Sequence, residues 1–283
     1  MYTVGMGRVK TGAIGSDRLE ATVQAVREQG FAVVRDVVAP EGVAALGAVV
    51  EAQMQALHVE FGGNAFLGLR TRRLFNLLAR DPIFRDVATC AATLPVVERL
   101  LDDECLLSSM TAIEMHPGQA RQPLHCDDGS HGLPRPGPTH GVVAIFALSA
   151  FDSDNGGTHV VPGSHRFDRI PKRGDAPPTV QVEMPAGSVL VYDASLWHGG
   201  GENRAAVPRR AIVVNYCAGY LRQEECQLLA IPRDQVAEFP PRLRRLVGYG
   251  TYRGLLGHVD QRSPETFFDP DAPSDMVWGR IRG

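Results

Sequence analysis

The sequence predicts a mainly β protein with flanking helices, in which a jelly-roll core follows an N-terminal helical layer. Two observations support this fold class. The first hundred or so residues read as mainly helical, whereas short runs rich in β-branched residues recur from Cys105 onward. Clusters of Gly, Pro, Asp and Asn separate these runs, in a chain with 30 glycines and 20 prolines. Short, regularly spaced strands with turn residues between them are typical of a sandwich or jelly roll rather than of βαβ units.

The helical layer is expected over residues 1–104. A Ser-Asp pair can cap a first helix over residues 16–29, which Gly30 ends. The β-branched run at residues 31–38 is suited to a short strand. An alanine- and valine-rich second helix is expected to follow over roughly residues 41–57.

The next segment, residues 58–75, contains three glycines and is interpreted as an irregular surface loop. Two more helices are expected within residues 77–101, with a break at Asp81 and Pro82, because proline disfavours helix in the residue before it.

The predicted core occupies residues 105–220, and an irregular, partly helical extension follows over residues 221–283 with a short helix near residues 232–247. The β-type runs lie at residues 105–115, 141–149, 157–161, 179–184, 188–193 and 210–217. No segment has the composition of an interdomain linker, so residues 1–283 are expected to form a single domain.

Composition excludes several classes of function. The 29 basic and 32 acidic residues give a net charge of −3, which leaves no basic field for nucleic acid. No stretch reaches about 18 consecutive apolar residues, so a membrane span is not expected. The N-terminus lacks the apolar region of a signal peptide. The five cysteines show no CxxC spacing, which argues against a disulfide scaffold or structural zinc. A cytoplasmic location is therefore expected.

A candidate metal motif lies at His125 and Asp127. In an extended segment, residues two apart point to the same face, so this imidazole and carboxylate would converge. A second imidazole from a distant strand would complete a set of two histidines and one carboxylate. Such a set suits non-haem Fe(II) because it leaves coordination positions open. Tripeptides of this kind also occur by chance, so the motif alone does not decide the matter.

A suitable partner is His198, which follows the β-type run at residues 187–193 and is expected on a turn. Eleven residues later, Arg209 begins another apolar run, where its guanidinium group could pair with the remote carboxylate of a dicarboxylic acid. The adjacent Arg210 could take this role instead of Arg209. Strand alternation puts the two arginines on opposite faces, so only one can reach the site.

Together these motifs resemble the phytanoyl-CoA dioxygenase family. The resemblance is carried by His125-x-Asp127, by NGGTHVVPGSH at residues 155–165, by HGGGEN at residues 198–203 and by Arg209. The motifs of the resemblance lie in the predicted core. The N-terminal part resembles the family only in being helical. The resemblance implies a cupin-like, double-stranded β-helix core and an oxygenase that uses Fe(II) and 2-oxoglutarate as cofactor and co-substrate.

The resemblance also implies roles for single residues. It makes His125, Asp127 and His198 the iron ligands and Arg209 the partner of the 2-oxoglutarate C5 carboxylate. In halogenating relatives of this chemistry a small residue replaces the ligand carboxylate. The presence of Asp127 therefore favours hydroxylation or a related oxidation, and desaturation, ring formation and epimerisation are also accessible to this chemistry.

Two further positions match residues that hydrogen-bond the co-substrate in related natural-product oxygenases, namely Gln122 and Thr158. A surface glutamine and a strand threonine are the alternative interpretations. His165 lies in a Pro-Gly-Ser-His turn that is structural in the family, so it is left out of the metal set. Where some relatives carry serine two residues after the distal histidine, this chain has Gly200, which removes one possible hydrogen bond to the co-substrate.

The expected reaction oxidises an unactivated C–H bond of a small, lipophilic metabolite with O2 and releases succinate and CO2. The lipophilic substrate rests on apolar residues that could equally be core: Phe66, Leu67, Leu69, Met110 and Ile113. Residues 129–138 could form a lid or a solvated loop. Only two of the basic residues are lysines, which suggests a GC-rich bacterium and secondary metabolism.

Two alternatives from other classes stay open. A cupin-like isomerase or binding protein would use the jelly roll without oxygen chemistry, but would have no need of Arg209. A zinc hydrolase is compatible with two histidines and one carboxylate. It would need a general base, and the only neighbouring carboxylate, Asp128, is expected to point away from the ligands.

Overall fold

A computed structural model describes residues 9–271 and 276–280. The N-terminal residues on which the signal-peptide interpretation rests lie outside this part. In chain order, the helices and strands are α1 (Ser16–Gln29), β1 (Phe31–Val34), α2 (Pro40–Ala56), β2 (Thr71–Leu74), α3 (Ile83–Ala88), α4 (Leu94–Leu100), β3 (Leu106–Met115), β4 (Gly141–Ala147), β5 (His159–Val160), β6 (Val180–Gln181), β7 (Val189–Asp193), β8 (His198–Gly199), β9 (Arg209–Cys217), α5 (Gln227–Ala230), α6 (Arg233–Ala237), α7 (Pro241–Leu246) and α8 (Val277–Arg280).

Two sheets form the β core. The larger has six strands in the order β1-β7-β4-β9-β3-β2, and the smaller has three in the order β6-β5-β8. All paired neighbours run antiparallel. The predicted mainly β, jelly-roll fold class is confirmed, and an antiparallel arrangement of this kind lets one face of the large sheet pack on the small one.

Strand alternation divides the apolar residues of the large sheet between two cores. On one face, residues such as Ala112 and Val214 pack against the helices in the larger core. On the other face, Val143, Ile145 and Tyr192 lie in a smaller core together with residues of the small sheet. Since fully burying one such apolar side chain contributes about 1.5–3 kcal/mol, this alternation stabilises the sheet from both sides.

The N-terminal part contributes more than helices. The predicted strand at residues 31–38 is present as β1, and β2 lies within the segment that the sequence predicted to be a loop. These two strands form the opposite edges of the six-stranded sheet. The loop prediction was wrong for residues 71–74 because the sequence TRRL is polar. Its strand conformation comes from pairing with β3, with Thr71 opposite Met115.

The first two helices agree with their predicted spans, but the start of α1 differs in detail. Gly15 occupies the N-cap position and no side chain caps the helix. At the other end, Gly30 has a φ of 90°, which favours glycine. A Cβ added at Gly30 would lie 2.5 Å from Leu196 Cδ1, so the end of α1 lies too close to the β7–β8 connection for a larger residue.

The remaining helices are short. The predicted helical pair at residues 77–101 consists of a 3-10 turn at Leu77–Ala79 followed by α3 and α4. The predicted helix near residues 232–247 is divided into α6 and α7 by a pair of prolines. Leu243 and Leu246 of α7 are fully buried in the larger core. Among the residues that the structure describes, no helix is both long and apolar enough to cross a bilayer.

Candidate metal centre

His125, Asp127 and His198 meet between the two sheets. Their candidate ligand atoms all lie within 4.8 Å of one another. His125 Nε2 is 3.6 Å from Asp127 Oδ1, and His198 Nε2 is 3.6 Å from Asp127 Oδ2. Metal bonds to nitrogen and oxygen are about 2.0–2.2 Å long, so atoms at this separation can share one ion.

Backbone hydrogen bonds bring the distant histidines together. The amide of His125 donates to the carbonyl of His198 at 2.9 Å, and the amide of His198 donates to the carbonyl of His125 at 2.9 Å. The amide of Asp127 donates to the carbonyl of Ala194 at 2.8 Å. His198 is therefore the first residue of strand β8 rather than part of a turn, which corrects the local prediction. The metal motif is thereby fastened to the end of β7 and to β8.

Both histidines present the same ring nitrogen to the centre. Nδ1 of His125 lies 3.1 Å from the carbonyl of Pro123, and Nδ1 of His198 lies 3.0 Å from the carbonyl of Leu196. We assign the proton to Nδ1 in each ring, because a carbonyl can only accept, and Nε2 then keeps its lone pair for a metal. Burial and the nearby His198 lower the pKa of His125 to about 4, so this imidazole is neutral at physiological pH.

Tyr192 is a residue of the centre that the sequence analysis missed. Its hydroxyl donates to Asp127 Oδ2 at 2.9 Å and lies 3.1 Å from His198 Nε2. Burial, with the negative charge of Asp127, holds the pKa of Tyr192 well above its usual value, so the phenol stays a donor. The period of two along β7 puts Leu190 and Tyr192 on the face towards the smaller core, and this was the signal available in the sequence.

Arg209 lies in the same cavity as the three candidate ligands and is 5 % exposed. One of its terminal nitrogens donates to the carbonyl of Gly156 at 3.1 Å, and the guanidinium group stacks 4.4 Å from the ring centre of Phe151. In the part of the chain that the structure describes, its Nε has no hydrogen-bond partner. Burial, with the nearby charge of Arg73, lowers the pKa of Arg209 to about 10, and the group remains charged at neutral pH.

Within the described ranges, no carboxylate lies within ion-pair distance of Arg209. A buried charge without a counter-ion is costly, so the arrangement favours an anionic ligand. Arg210 points to the opposite face, where its Nε lies 2.6 Å from Glu114. The register of β9 therefore places Arg209, and not Arg210, in the cavity.

A second cation of the cavity, Arg73, was missed because its strand was predicted to be a loop. It lies opposite Ile113 at the edge of the large sheet, and its Nε donates to the carbonyl of Leu67 at 3.2 Å. Burial lowers the pKa of Arg73, and the charge of Asp127 acts in the opposite direction. No acidic side chain in the described part of the chain forms an ion pair with it.

Gln122 and Thr158 also line this cavity, whose volume is about 680 Å³. The Gln122 amide nitrogen donates to the carbonyl of Phe66 at 2.9 Å, and its oxygen accepts from the amide of Gly200 at 3.1 Å. Thr158 is buried. A Cβ added at Gly200 would lie 3.9 Å from Arg209, so the missing serine side chain would have faced the same space.

The larger part of this chain matches the model of a known protein family. Residues 26–211 match the family model described as phytanoyl-CoA dioxygenase (PhyH). This chain belongs to the phytanoyl-CoA dioxygenase family. The predicted enzyme class is confirmed, because similar proteins in the family are named dioxygenases.

Similar sequences within the phytanoyl-CoA dioxygenase family include two fungal proteins. Dioxygenase FUM3 of Gibberella moniliformis is 28% identical over 231 residues, which cover 72% of this chain and 77% of that protein. Dioxygenase swnH1 of Metarhizium robertsii is 28% identical over 284 residues, which cover 88% of this chain and 91% of that protein. These fungal relatives give no support to the expectation of a bacterial source.

Solved structures with the same fold include two enzymes described with 2-oxoglutarate (alpha ketoglutarate). The non-heme alpha ketoglutarate dependent carbocyclase SnoK from nogalamycin biosynthesis has a TM-score of 0.61 at 21% identity, with 73% of this chain and 87% of SnoK covered. HygX from Streptomyces hygroscopicus, with nickel, 2-oxoglutarate and hygromycin B bound, has a TM-score of 0.61 at 17% identity, with 72% of this chain and 88% of HygX covered.

Three residues that lie in or beside the sequence motifs of this family member are outside the ligand set, namely Asp128, His165 and Cys126. Asp128 forms an ion pair with Arg135, so it is not aimed at the ligands as a general base would be. His165 Nε2 lies 3.1 Å from the carbonyl of Arg27, at the end of α1. Cys126 is half-buried, and burial raises the pKa of its thiol to about 11.

Not all of the apolar residues expected near the substrate lie there. Phe66, Leu67 and Ile113 line the cavity. Met110 instead packs in the larger core on the other face of β3, and Leu69 is 62 % exposed. The core interpretation therefore holds for Met110, whereas Leu69 fits neither interpretation, because sequence position alone does not reveal which face of a strand or loop a side chain occupies.

Proposed function

We propose that the chain is an Fe(II)- and 2-oxoglutarate-dependent dioxygenase that hydroxylates a C–H bond of a small molecule. His125, Asp127 and His198 would hold the iron. The observation that carries the proposal is the position of a buried arginine, Arg209, in the same cavity as this ligand set, with no carboxylate partner among the described residues. The donor set fits the group, because two imidazoles and one carboxylate leave positions open for other ligands.

The cationic lining of the cavity supports a dicarboxylate co-substrate. Arg73 and Arg209 both line the cavity, and the described residues provide neither with a carboxylate partner. 2-Oxoglutarate carries two carboxylates. We assign the C5 carboxylate to Arg209, and we assign Arg73, whose pKa the charge of Asp127 acts to raise, to the end nearer the metal. Gln122 and Thr158 would hydrogen-bond the co-substrate between them.

The ferrous ion, when bound, would supply oxygen activation coupled to the conversion of 2-oxoglutarate to succinate and CO2. The chain's own contribution is orientation. The carbonyls of Pro123 and Leu196 fix the tautomers of the two histidines, and Tyr192 holds one oxygen of Asp127. Partners of this kind, which bind the ligands rather than the metal, commonly set metal affinity.

The test is anaerobic reconstitution with Fe(II) and 2-oxoglutarate, followed by the visible charge-transfer band of the chelate. His125→Ala and Asp127→Ala are expected to abolish the band, and Arg209→Ala to weaken 2-oxoglutarate binding. Arg210→Gln is the matched control, because Arg210 lies next in sequence and faces away from the cavity. An unchanged band in the His125 and Asp127 variants would overturn the ligand assignment.

A further inference from the structure

Two glutamates line the cavity without a role in the metal centre, namely Glu224 and Glu225. Glu224 lines the cavity wall contributed by the segment after β9, near Ser109 and Asn215. Ser109 Oγ donates to Glu224 Oε2 at 2.7 Å, and Asn215 Nδ2 donates to the same oxygen at 3.1 Å. The amide of Glu224 donates to Ser108 Oγ at 3.0 Å. Glu224 is an exposed residue at the mouth of the cavity, and neutral groups hold one oxygen of its carboxylate.

The neighbouring Glu225 shows what a purely structural glutamate looks like here. Both of its oxygens accept backbone amides, from Asn76 at 2.7 Å and from Met110 at 2.9 Å. Glu224, by contrast, uses only Oε2. Among the described residues, its Oε1 has no donor and no cationic side chain lies within ion-pair distance. An oriented carboxylate with one free oxygen on a cavity wall favours a cationic ligand group.

The sheet register gives the spacing between the strand residues that hold this carboxylate and Tyr192 of the metal centre. Tyr192 is opposite Val143, Val143 is opposite Asn215, and Asn215 is opposite Ser109. These four residues form one row across β7, β4, β9 and β3. Adjacent strands are about 4.8 Å apart, so the main chains of Ser109 and Tyr192 lie about 14 Å apart when measured along the sheet. A ligand that touches both ends must span this row.

The lining around this row is largely apolar. Phe66 and Phe75 line the cavity, and each is about half exposed. Ile113 and Val213 line it from the sheet. Because Phe75 and Glu224 line the same cavity, an aromatic face and a carboxylate are both available to a cation there.

We propose that the substrate is an amphipathic amine whose protonated nitrogen binds Glu224 while its apolar body lies along the sheet towards the metal centre. This proposal rests on the proposed function, because it assigns Arg73 and Arg209 to the co-substrate and leaves Glu224 as the cavity's free charge. It refines the expectation of a lipophilic metabolite, since the apolar lining is kept and a basic head group is added.

The test uses three probes of equal chain length, namely octylammonium, octanol and octanoate. Binding is measured by calorimetry to protein loaded with Co(II) and 2-oxoglutarate and, separately, to metal-free protein. Octylammonium is expected to bind about fivefold more tightly than octanol, as for a partly exposed ion pair. Glu224→Gln, which keeps the size of the side chain, is expected to remove this preference. Glu183→Gln, an exposed glutamate outside the cavity lining, is expected to keep it.

The two proposals fail in different ways. Equal binding of the three probes, tighter binding of octanoate, or an ammonium preference that survives Glu224→Gln would overturn the amine proposal. If the wild-type protein binds neither Co(II) nor 2-oxoglutarate, the proposed function is overturned. In that case, an ammonium preference of the metal-free protein would still be measurable.

Discussion

The hydroxyl of Tyr192 lies 2.9 Å from Oδ2 of Asp127 and donates a hydrogen bond to it. Tyr192 belongs to β7 in the large sheet, whereas Asp127 lies in a connection that is held to the end of the same strand through Ala194. The rigid sheet therefore controls the orientation of the one candidate ligand that is not a histidine. Four predictions follow from this geometry and from the buried charges around it.

Tyr192→Phe is expected to weaken Co(II) binding by about 10- to 100-fold, as is typical when a partner of a metal ligand is lost. The ring and its packing are kept, so the far-UV circular dichroism should not change. Tyr216→Phe is the matched control, because it removes a buried hydroxyl that bonds the Ala88 carbonyl on the helical side. Equal Co(II) affinities for the two variants would show that Tyr192 is only a packing residue.

Arg209→Met is expected to reduce 2-oxoglutarate affinity by at least tenfold without lowering the melting temperature of the ligand-free protein. The reason is that the wild-type side chain is a buried charge whose described surroundings include no counter-ion, and replacing such a charge by an apolar side chain is often stabilising. Calorimetry measures the affinity and thermal unfolding the stability. A large loss of stability with unchanged affinity would contradict the assignment.

Co(II) and 2-oxoglutarate together are expected to raise the melting temperature, and a chelator should reverse the effect. A ligand present at 100 times its dissociation constant stabilises the folded state by about 2.7 kcal/mol. Asp127→Asn should lose most of the shift with Co(II) alone. If the shift persists in that variant, the ion binds elsewhere.

Glu114 lies on the other face of the sheet, and its pKa predicts how the stability of the fold depends on pH. Burial acts to raise the pKa of Glu114, but hydrogen bonds from Arg72, Arg210 and His116 outweigh it, and the pKa lies below its usual value. The resulting stability is present above the unfolded-state pKa, near 4.5, and is lost as the pH falls through the folded-state pKa.

Glu114→Gln is therefore expected to destabilise the protein at pH 7 by about 3 kcal/mol, since it removes the charge that Arg72 pairs with and leaves Arg210 with Glu51 alone. The difference from wild type should shrink as the pH falls below about 4.5. Urea unfolding at several pH values measures both effects. A difference that does not change with pH would show that packing, rather than charge, accounts for the loss.

The sequence could predict which residues meet at the candidate metal site because they stand in recognisable motifs, and the structure brings His125, Asp127 and His198 together. Their role as ligands stays a prediction. It could also narrow the choice between Arg209 and Arg210, since a period of two separates the faces of any strand. The roles of Gln122 and Thr158 stay predictions, although both residues line the cavity.

Arg73, Tyr192 and Glu224 could not be predicted in the same way. Arg73 reaches the cavity only because a polar tetrapeptide pairs at a sheet edge, and Glu224 only because side chains of β3 and β9 hold an irregular segment. Such positions depend on register between distant strands. No local pattern in the chain reports that register.

The opposite directions of Arg209 and Arg210 make the length of the preceding connection critical. One guanidinium group faces the cavity and the other joins the ion pairs of Glu114. Removing or adding a single residue between β8 and β9, if the strand slipped to compensate, would exchange the two side chains. Each face of the sheet would still carry one arginine, but each guanidinium group would be attached one strand position away from its present place. Length variants of this connection would thus change catalysis through strand slippage, with every charged residue retained.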